Sequence, residues 1–261
     1  MILLLITTVL LVALIVRSIL LTRRGRLVNV RPLTPVEEMI PAIDSSVASG
    51  SPVLFVPGTR DLDSMQTVAG LSLLDQVARA CAERGAELLV LVNRSLVMDE
   101  ARERCRIAYA SVGRGDDWND DNVDYISDDP LGFVARVDGV IARRRPGACF
   151  FFGFFASESL LLAEGGHQVG AIQIAGTASA VQLPFFVAAC DRTLMGEELF
   201  AAGASLSGDA ALLGSLVGQD QGKWLVLILL LLGTALVTLS ALGWAPAGEV
   251  WTVLSGLLPE G

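Results

Sequence analysis

The chain has 261 residues, 52% of them hydrophobic, and a net charge of -9, which excludes a non-specific nucleic-acid binder. Its four cysteines, Cys81, Cys105, Cys149 and Cys190, are widely spaced and form no CxxC pair, which excludes a zinc ribbon and a disulfide frame. His167 is the single histidine and there is no GxSxG elbow, so a Ser-His-Asp hydrolase would have to be built around that one side chain.

Residues 2–21 form an apolar block interrupted only by Thr7, Thr8, Arg17 and Ser18. Such a block is long enough to cross a hydrocarbon core of ~30 Å as a helix. No positive region precedes it and no small-residue cleavage site follows, so a transmembrane helix over 1–22 is expected and a removed signal peptide is not. Residues 23–51 carry Arg23, Arg24, Arg26 and Arg31, then Pro32, Pro35 and Pro41, and read as a juxtamembrane linker ending in a short lead-in helix.

Residues 52–222 alternate branched or aromatic runs with segments of helical period. The strand candidates are 53–57, 87–92, 123–127, 148–155, 171–176 and 191–195. The helix candidates are 64–83, 95–112, 130–144, 157–164, 178–189 and 197–207. On 64–83, Met65, Val68, Leu71, Leu74, Ala78 and Cys81 recur every three or four positions as one buried stripe. Runs as apolar as ELLVLV and ACFFFGFF suit strands buried on both faces. The expected fold is therefore α/β: a Rossmann-like, mostly parallel sheet of about six strands with helices on both faces, flanked by two transmembrane helices.

A second apolar run, 225–242, defines a second expected span over 223–244, with Trp224 and Trp244 at its ends and Lys223 before it. The tail 245–261 has two glutamates and no cation and reads as a short interfacial segment. Cations gather on the inner side of both runs. That predicts a cell-membrane protein with the central domain cytoplasmic and both termini outside.

The strings IPAIDSSVASGSPVLFVPGTRDLDSMQTVAGLSLL, IQIAGTASAVQLPFFVAACDRTLMGEELFAA and LLGSLVGQD resemble a prokaryotic family of membrane-anchored proteins of unknown function, over a stretch from about Ile40 through the second run. The resemblance implies a membrane-attached domain of this layout. It brings no activity and no site residues.

In open parallel sheets, ligands bind beyond the carboxyl ends of the strands, where the strand order reverses. The residues expected there include Gly58, Thr59, Asp61 and Asp63 after the first strand and Asp128 after the third. Glu158 follows the fourth strand, and Gly176 and Thr177 end the fifth. The two Gly-Thr steps either cap the helices that follow or receive a small anion at a helix start. Neither step belongs to a GxGxxG or GxxxxGK[ST] fingerprint. Asp61 and Asp63 form a DxD step that suits either a divalent cation or the positive end of a helix. In the stretch 116–129, Asp117, Asn119, Asp121 and Asp128 fall at calcium-loop spacing. Asn122 stands where the loop needs glycine, so a solvated acidic turn is the better reading.

With no complete catalytic set, the leading expectation is a membrane-tethered scaffold or ligand-sensing module that self-associates in the bilayer, alone or beside other membrane proteins. The helices around LFAAGASLSG and LLAEGG are poor in charge, as faces that pack against something are. The alternative is a membrane-surface hydrolase or transferase in which Asp61, Asp63, Asp128 and Glu158 hold a metal or move protons. No metal or cofactor is specified by either reading.

Overall fold

The computed structural model describes residues 2–24 and 33–242, and its elements follow the alternation of branched runs and helical periods. In chain order they are α1 (Ile2–Arg23), α2 (Thr34–Glu37), α3 (Met39–Ser49), β1 (Val53–Val56), α4 (Met65–Arg84), β2 (Leu88–Val92), α5 (Ser95–Ser111), β3 (Val123–Tyr125) and α6 (Pro130–Arg144). Then come β4 (Ala148–Phe152), α7 (Ser159–Gln168), β5 (Ile172–Thr177), α8 (Leu183–Ala189), β6 (Arg192–Met195), α9 (Glu197–Ser207) and α10 (Ala210–Ala241). Arg26, Arg31, Pro32, Trp244 and the tail 245–261 lie outside the described residues. Two compact units result, Val30–Ser207 and a second made of Met1–Asn29 with Gly208–Gly261.

In the first unit all six strands are parallel, in the order β3-β2-β1-β4-β5-β6. This is the doubly wound order, whose switch point lies between β1 and β4. Val53 pairs with Leu88 on one side and with Ala148 on the other. VLFV and ACFFF are wholly buried because helices cover both faces. Phe55, Phe150 and Phe152 join the core shared with α3, α4, α5 and α9, while Leu54, Phe151 and Phe155 join that shared with α6, α7 and α8. Phe186 of α8 stacks on Phe151 at 6.1 Å and meets Phe155 edge-on at 5.0 Å.

Glycine decides how closely the layers approach. A side chain at Gly70 of α4 would collide with the carbonyl of Phe152, so this helix lies directly on β4. Small residues do the same for α9, whose Gly203 sits against the backbone of Ala69. The charge-poor LFAAGASLSG face thus has a partner inside the domain.

Several boundaries depart from the periodicity: the strands expected over 148–155 and 123–127 stop at Phe152 and Tyr125, and two helices shift. The reading that ends a helix at 164 is too short: α7 continues through Gly165 and Gly166, which places His167 in its last turn. At Gly166 a Cβ would press along the Gln173 side chain, whereas at Gly165 it would meet only the carboxylate end of Asp138, which can turn aside. By contrast α8 starts five residues later than expected, because Pro184 belongs in a first helical turn and 178–182 remain a turn.

Burial raises the thiol pKa at all four cysteines, to about 12 at half-buried Cys190 and further at Cys81, Cys105 and Cys149. Thiolate is the reacting form, so the native domain at pH 8 is expected to resist iodoacetamide while the unfolded chain takes up four equivalents. Rapid labelling of native Cys149 would contradict the two-sided burial of β4.

In the second unit α1 and α10 run antiparallel. Gly214 faces Ile19, Gly218 faces Ile15 and Gly222 faces Leu11, so that a Cβ on these glycines would come within 2.6 to 3.0 Å of α1. Glycine at every fourth residue lets two helix backbones touch. Ser18 donates a hydrogen bond to Gln221 Oε1 at 3.3 Å across the pair. Among the described residues one helix, α10, is long and apolar enough to cross a membrane.

Candidate functional site

A doubly wound sheet brings the residues after its strands to one edge, and the crevice that usually admits a ligand opens between the first and fourth strands. Here that crevice is laced shut by main chain. Gly58 (φ 88°) and Gly153 (φ 144°) occupy conformations that favour glycine. A side chain at Gly58 would lie 2.7 Å from the backbone of Phe154, and one at Gly153 would strike the carbonyl of Pro57. The Thr59 N–H donates to Phe154 O at 2.8 Å, and the Thr59 hydroxyl points to the same oxygen at 3.3 Å. Buried Asn93, just past β2, donates to Thr59 O at 3.1 Å and closes the loop from its other side. Arg60 lies over the Phe154 ring at 4.8 Å.

The second Gly-Thr step is bound into the fold in the same manner. Gly176 is the last but one residue of β5, where a Cβ would press on Phe152 and Leu194 at 2.9 and 3.0 Å. Thr177 is fully buried. Its hydroxyl donates to Gln66 Oε1 at 3.2 Å and accepts from the N–H of Ser179 at the same distance, while the N–H of Ala178 donates to Gln66 Oε1 at 2.8 Å. A glutamine in the first turn of α4 therefore ties that helix to the end of β5. The structure brings Gly58 and Thr59 to β4, and Thr177 to α4, without gathering the two steps around a common space.

The acids are dispersed. Asp61 Oδ1 accepts from the N–H of Leu62 at 2.8 Å, and the Asp61 carbonyl accepts from Ser64, forming a turn that leads into α4. Asp63 is exposed in that turn. Asp128 pairs with Arg94 at 3.1 Å. Glu158 is 2% exposed, and its Oε2 accepts from the N–H groups of Ala156 and Ser157 at 2.7 and 2.9 Å, which ties the carboxylate to its own loop. Beside it, Ser159 donates to Gln182 Oε1 at 2.5 Å. Among the described residues no three His, Cys, Asp or Glu side chains are placed to hold one metal ion.

The acidic stretch 116–129 folds into two single-turn helices, Gly115–Asp117 and Asp120–Asn122. Asp117 pairs with Arg114 at 2.6 Å and Asp120 with Arg106 at 2.7 Å, and Asn119 accepts from the N–H of Asp121 at 3.0 Å. Arg106 and the Trp118 indole hold the Asp120 carboxyl below its usual pKa.

Asn93 belongs to this edge by its position after the second strand, and Gln66 and Gln182 follow the two Gly-Thr steps in the sequence. Their partners are set by strand order, which no local pattern reveals. Outside this edge, α6 and α7 border an apolar hollow of 450 Å³ lined by Leu131, Val134, Leu161 and Gly165. Five apolar side chains on and just before α7 and α8, namely Leu160, Leu161, Val181, Phe185 and Val187, are 39 to 74% exposed.

A family model described as a domain of unknown function (DUF6754) matches residues 1–246. Neither a curated protein nor a solved structure matches the chain.

Proposed function

The chain belongs to the DUF6754 family of unknown function, and we propose that it is a membrane-tethered α/β scaffold whose domain self-associates on the cytoplasmic side of the cell membrane. The observation that carries this reading is the closed switch point. The place where a doubly wound domain would bind a cofactor is filled by the contact of Gly58 and Thr59 with Gly153 and Phe154. Polar groups around it bond to one another.

Tethering is supported by α10. Its second half exposes Leu229, Leu230, Leu231 and Leu232, while Thr234 and Thr238 return their hydroxyls to carbonyls one turn back, at 2.8 Å each. Lipid requires that internal satisfaction of polar groups. Orientation rests on Arg23, Arg24 and Lys223, which precede or follow the apolar runs on the domain side. Self-association is supported by the exposed apolar side chains of α7 and α8 and by the adjoining 450 Å³ hollow, mostly apolar but bordered by Asp138 and Glu164, which has room for inserted side chains. The hydrolase or transferase alternative needs a gathered acid set, and no observation favours it.

Native mass spectrometry of the full-length protein from mild detergent tests the reading. A defined oligomer is expected, shifting to monomer when Leu161→Asp and Val187→Asp are combined. A monomeric wild type would overturn self-association.

A further inference from the structure

We propose that the groove between α6 and the β2–β3 edge of the sheet binds a phosphate ester that also carries a hydroxyl or ammonium group. The groove is distinct from the strand-end edge and does not depend on the scaffold reading. Arg136, Arg143 and Arg144 line one wall, Asp121 and Asp124 the other, and Leu89 with Leu91 form part of the floor of a 330 Å³ cavity. That volume lies at the lower end of small-molecule sites.

The charges are the informative part. Several arginines elsewhere in the domain close ion pairs, Arg104 with Asp75 and Glu100 at 2.7 and 2.6 Å, Arg106 with Glu103 and Asp120, Arg114 with Asp117, while Arg102 bonds only main-chain carbonyls and Arg79 and Arg145 stand apart without a cavity of this kind. In this groove Arg136 and Arg143, and Asp121 and Asp124, line one cavity, and among the described residues none of the four side chains makes an ion pair or hydrogen bond. Only Arg144 is engaged, by Glu87 at 2.6 Å. Unlike charges that border a common space without closing it leave room for a bridging group.

The dipole of α6 accounts for basic residues in its last turn, where Arg143 and Arg144 sit. It does not account for Arg136, which lies seven residues earlier and therefore on the same side of the helix. Two forked donors on one side match the oxygens of a phosphate. The acidic wall repels a bare anion and accepts from hydroxyl or ammonium donors, so the ligand must present both. A phosphoethanolamine-like or glycerophosphate-like group has this chemistry, whether free in solution or as a lipid headgroup.

The test uses full-length protein in mild detergent, titrated calorimetrically with phosphoethanolamine and with inorganic phosphate, and in parallel reconstituted into nanodiscs containing phosphatidylethanolamine for native mass spectrometry. Arg136 and Arg143 are exposed, so R136Q/R143Q is expected to melt within about 2 °C of wild type and to weaken binding by about tenfold or more. D124N is expected to weaken phosphoethanolamine more than inorganic phosphate. Arginine-dependent binding of free phosphoethanolamine assigns a soluble ligand, and arginine-dependent retention of the lipid alone assigns a headgroup. Failure to bind either, or binding unchanged in R136Q/R143Q, overturns the site.

Discussion

Gly153→Ala is expected to destabilise the α/β domain by about 2–5 kcal/mol and to lower its melting temperature by roughly 4–20 °C. Two effects add at this position. At φ 144° any Cβ is strained, by about 1–2 kcal/mol. The same Cβ would also be driven into the carbonyl of Pro57, which is backbone and cannot rotate away, and overpacking of this kind costs about 1–3 kcal/mol. Gly170→Ala is the control. Its φ is 76° but nothing lies within 4 Å of the added carbon, so only the strain of about 1–2 kcal/mol should appear. Circular dichroism melts of both variants decide the matter. Equal losses at the two positions would mean that the contact between the β1 and β4 loops contributes nothing, and the closed switch point would lose its claim to be a built feature of the domain.

That contact also marks the limit of what the amino-acid sequence discloses. Strands such as VLFV and ACFFF are legible because a chain buried on both faces must be apolar throughout. The six alternations are legible because helix and strand periods differ. Strand order is not, since nothing within β1 states that β4 will lie beside it. Gly58 and Thr59 after β1, and Gly176 and Thr177 at the end of β5, can be assigned to the carboxyl edge by position alone, yet their partners follow from that hidden order: Phe154 for Thr59, Gln66 for Thr177. Gly153 illustrates the difficulty. Within FFFGFF it looks like one more residue of a strand, but β4 stops at Phe152 and the glycine turns the chain against Pro57. Other signals were available. The spacing of Gly214, Gly218 and Gly222 is a helix-packing pattern in the sequence, and Arg136 with Arg143 is a seven-residue repeat on one helix side.

The α1–α10 register leads to the largest expected effect, because it prevents the two apolar runs from sharing one bilayer centre. Leu11, midway along the first run, lies beside Gly222. The middle of the second run, 225–242, is about eleven residues further along α10, or roughly 17 Å at ~1.5 Å per residue. Centring the bilayer on α1 would draw Asp220 and Lys223 toward its midplane, at about 2.5–3.5 kcal/mol each on the insertion scale. Centring it on α10 leaves that ion pair, and Trp224, at the water boundary, where their 53 to 71% exposure is harmless. On the proposed tethering the second placement is the one favoured, and α10 is then the anchor. Leu232→Arg with Leu236→Arg, both near the centre of the run, should then raise the insertion free energy by about 6–8 kcal/mol, enough to release the protein from carbonate-washed membranes. The same register puts Val16 of α1 outside the hydrocarbon, so Val16→Cys should react with a water-soluble maleimide that leaves Leu229→Cys untouched. Retention of the double arginine variant in the membrane, together with a protected Val16→Cys, would assign the anchor to α1 instead and place Asp220 and Lys223 inside the bilayer.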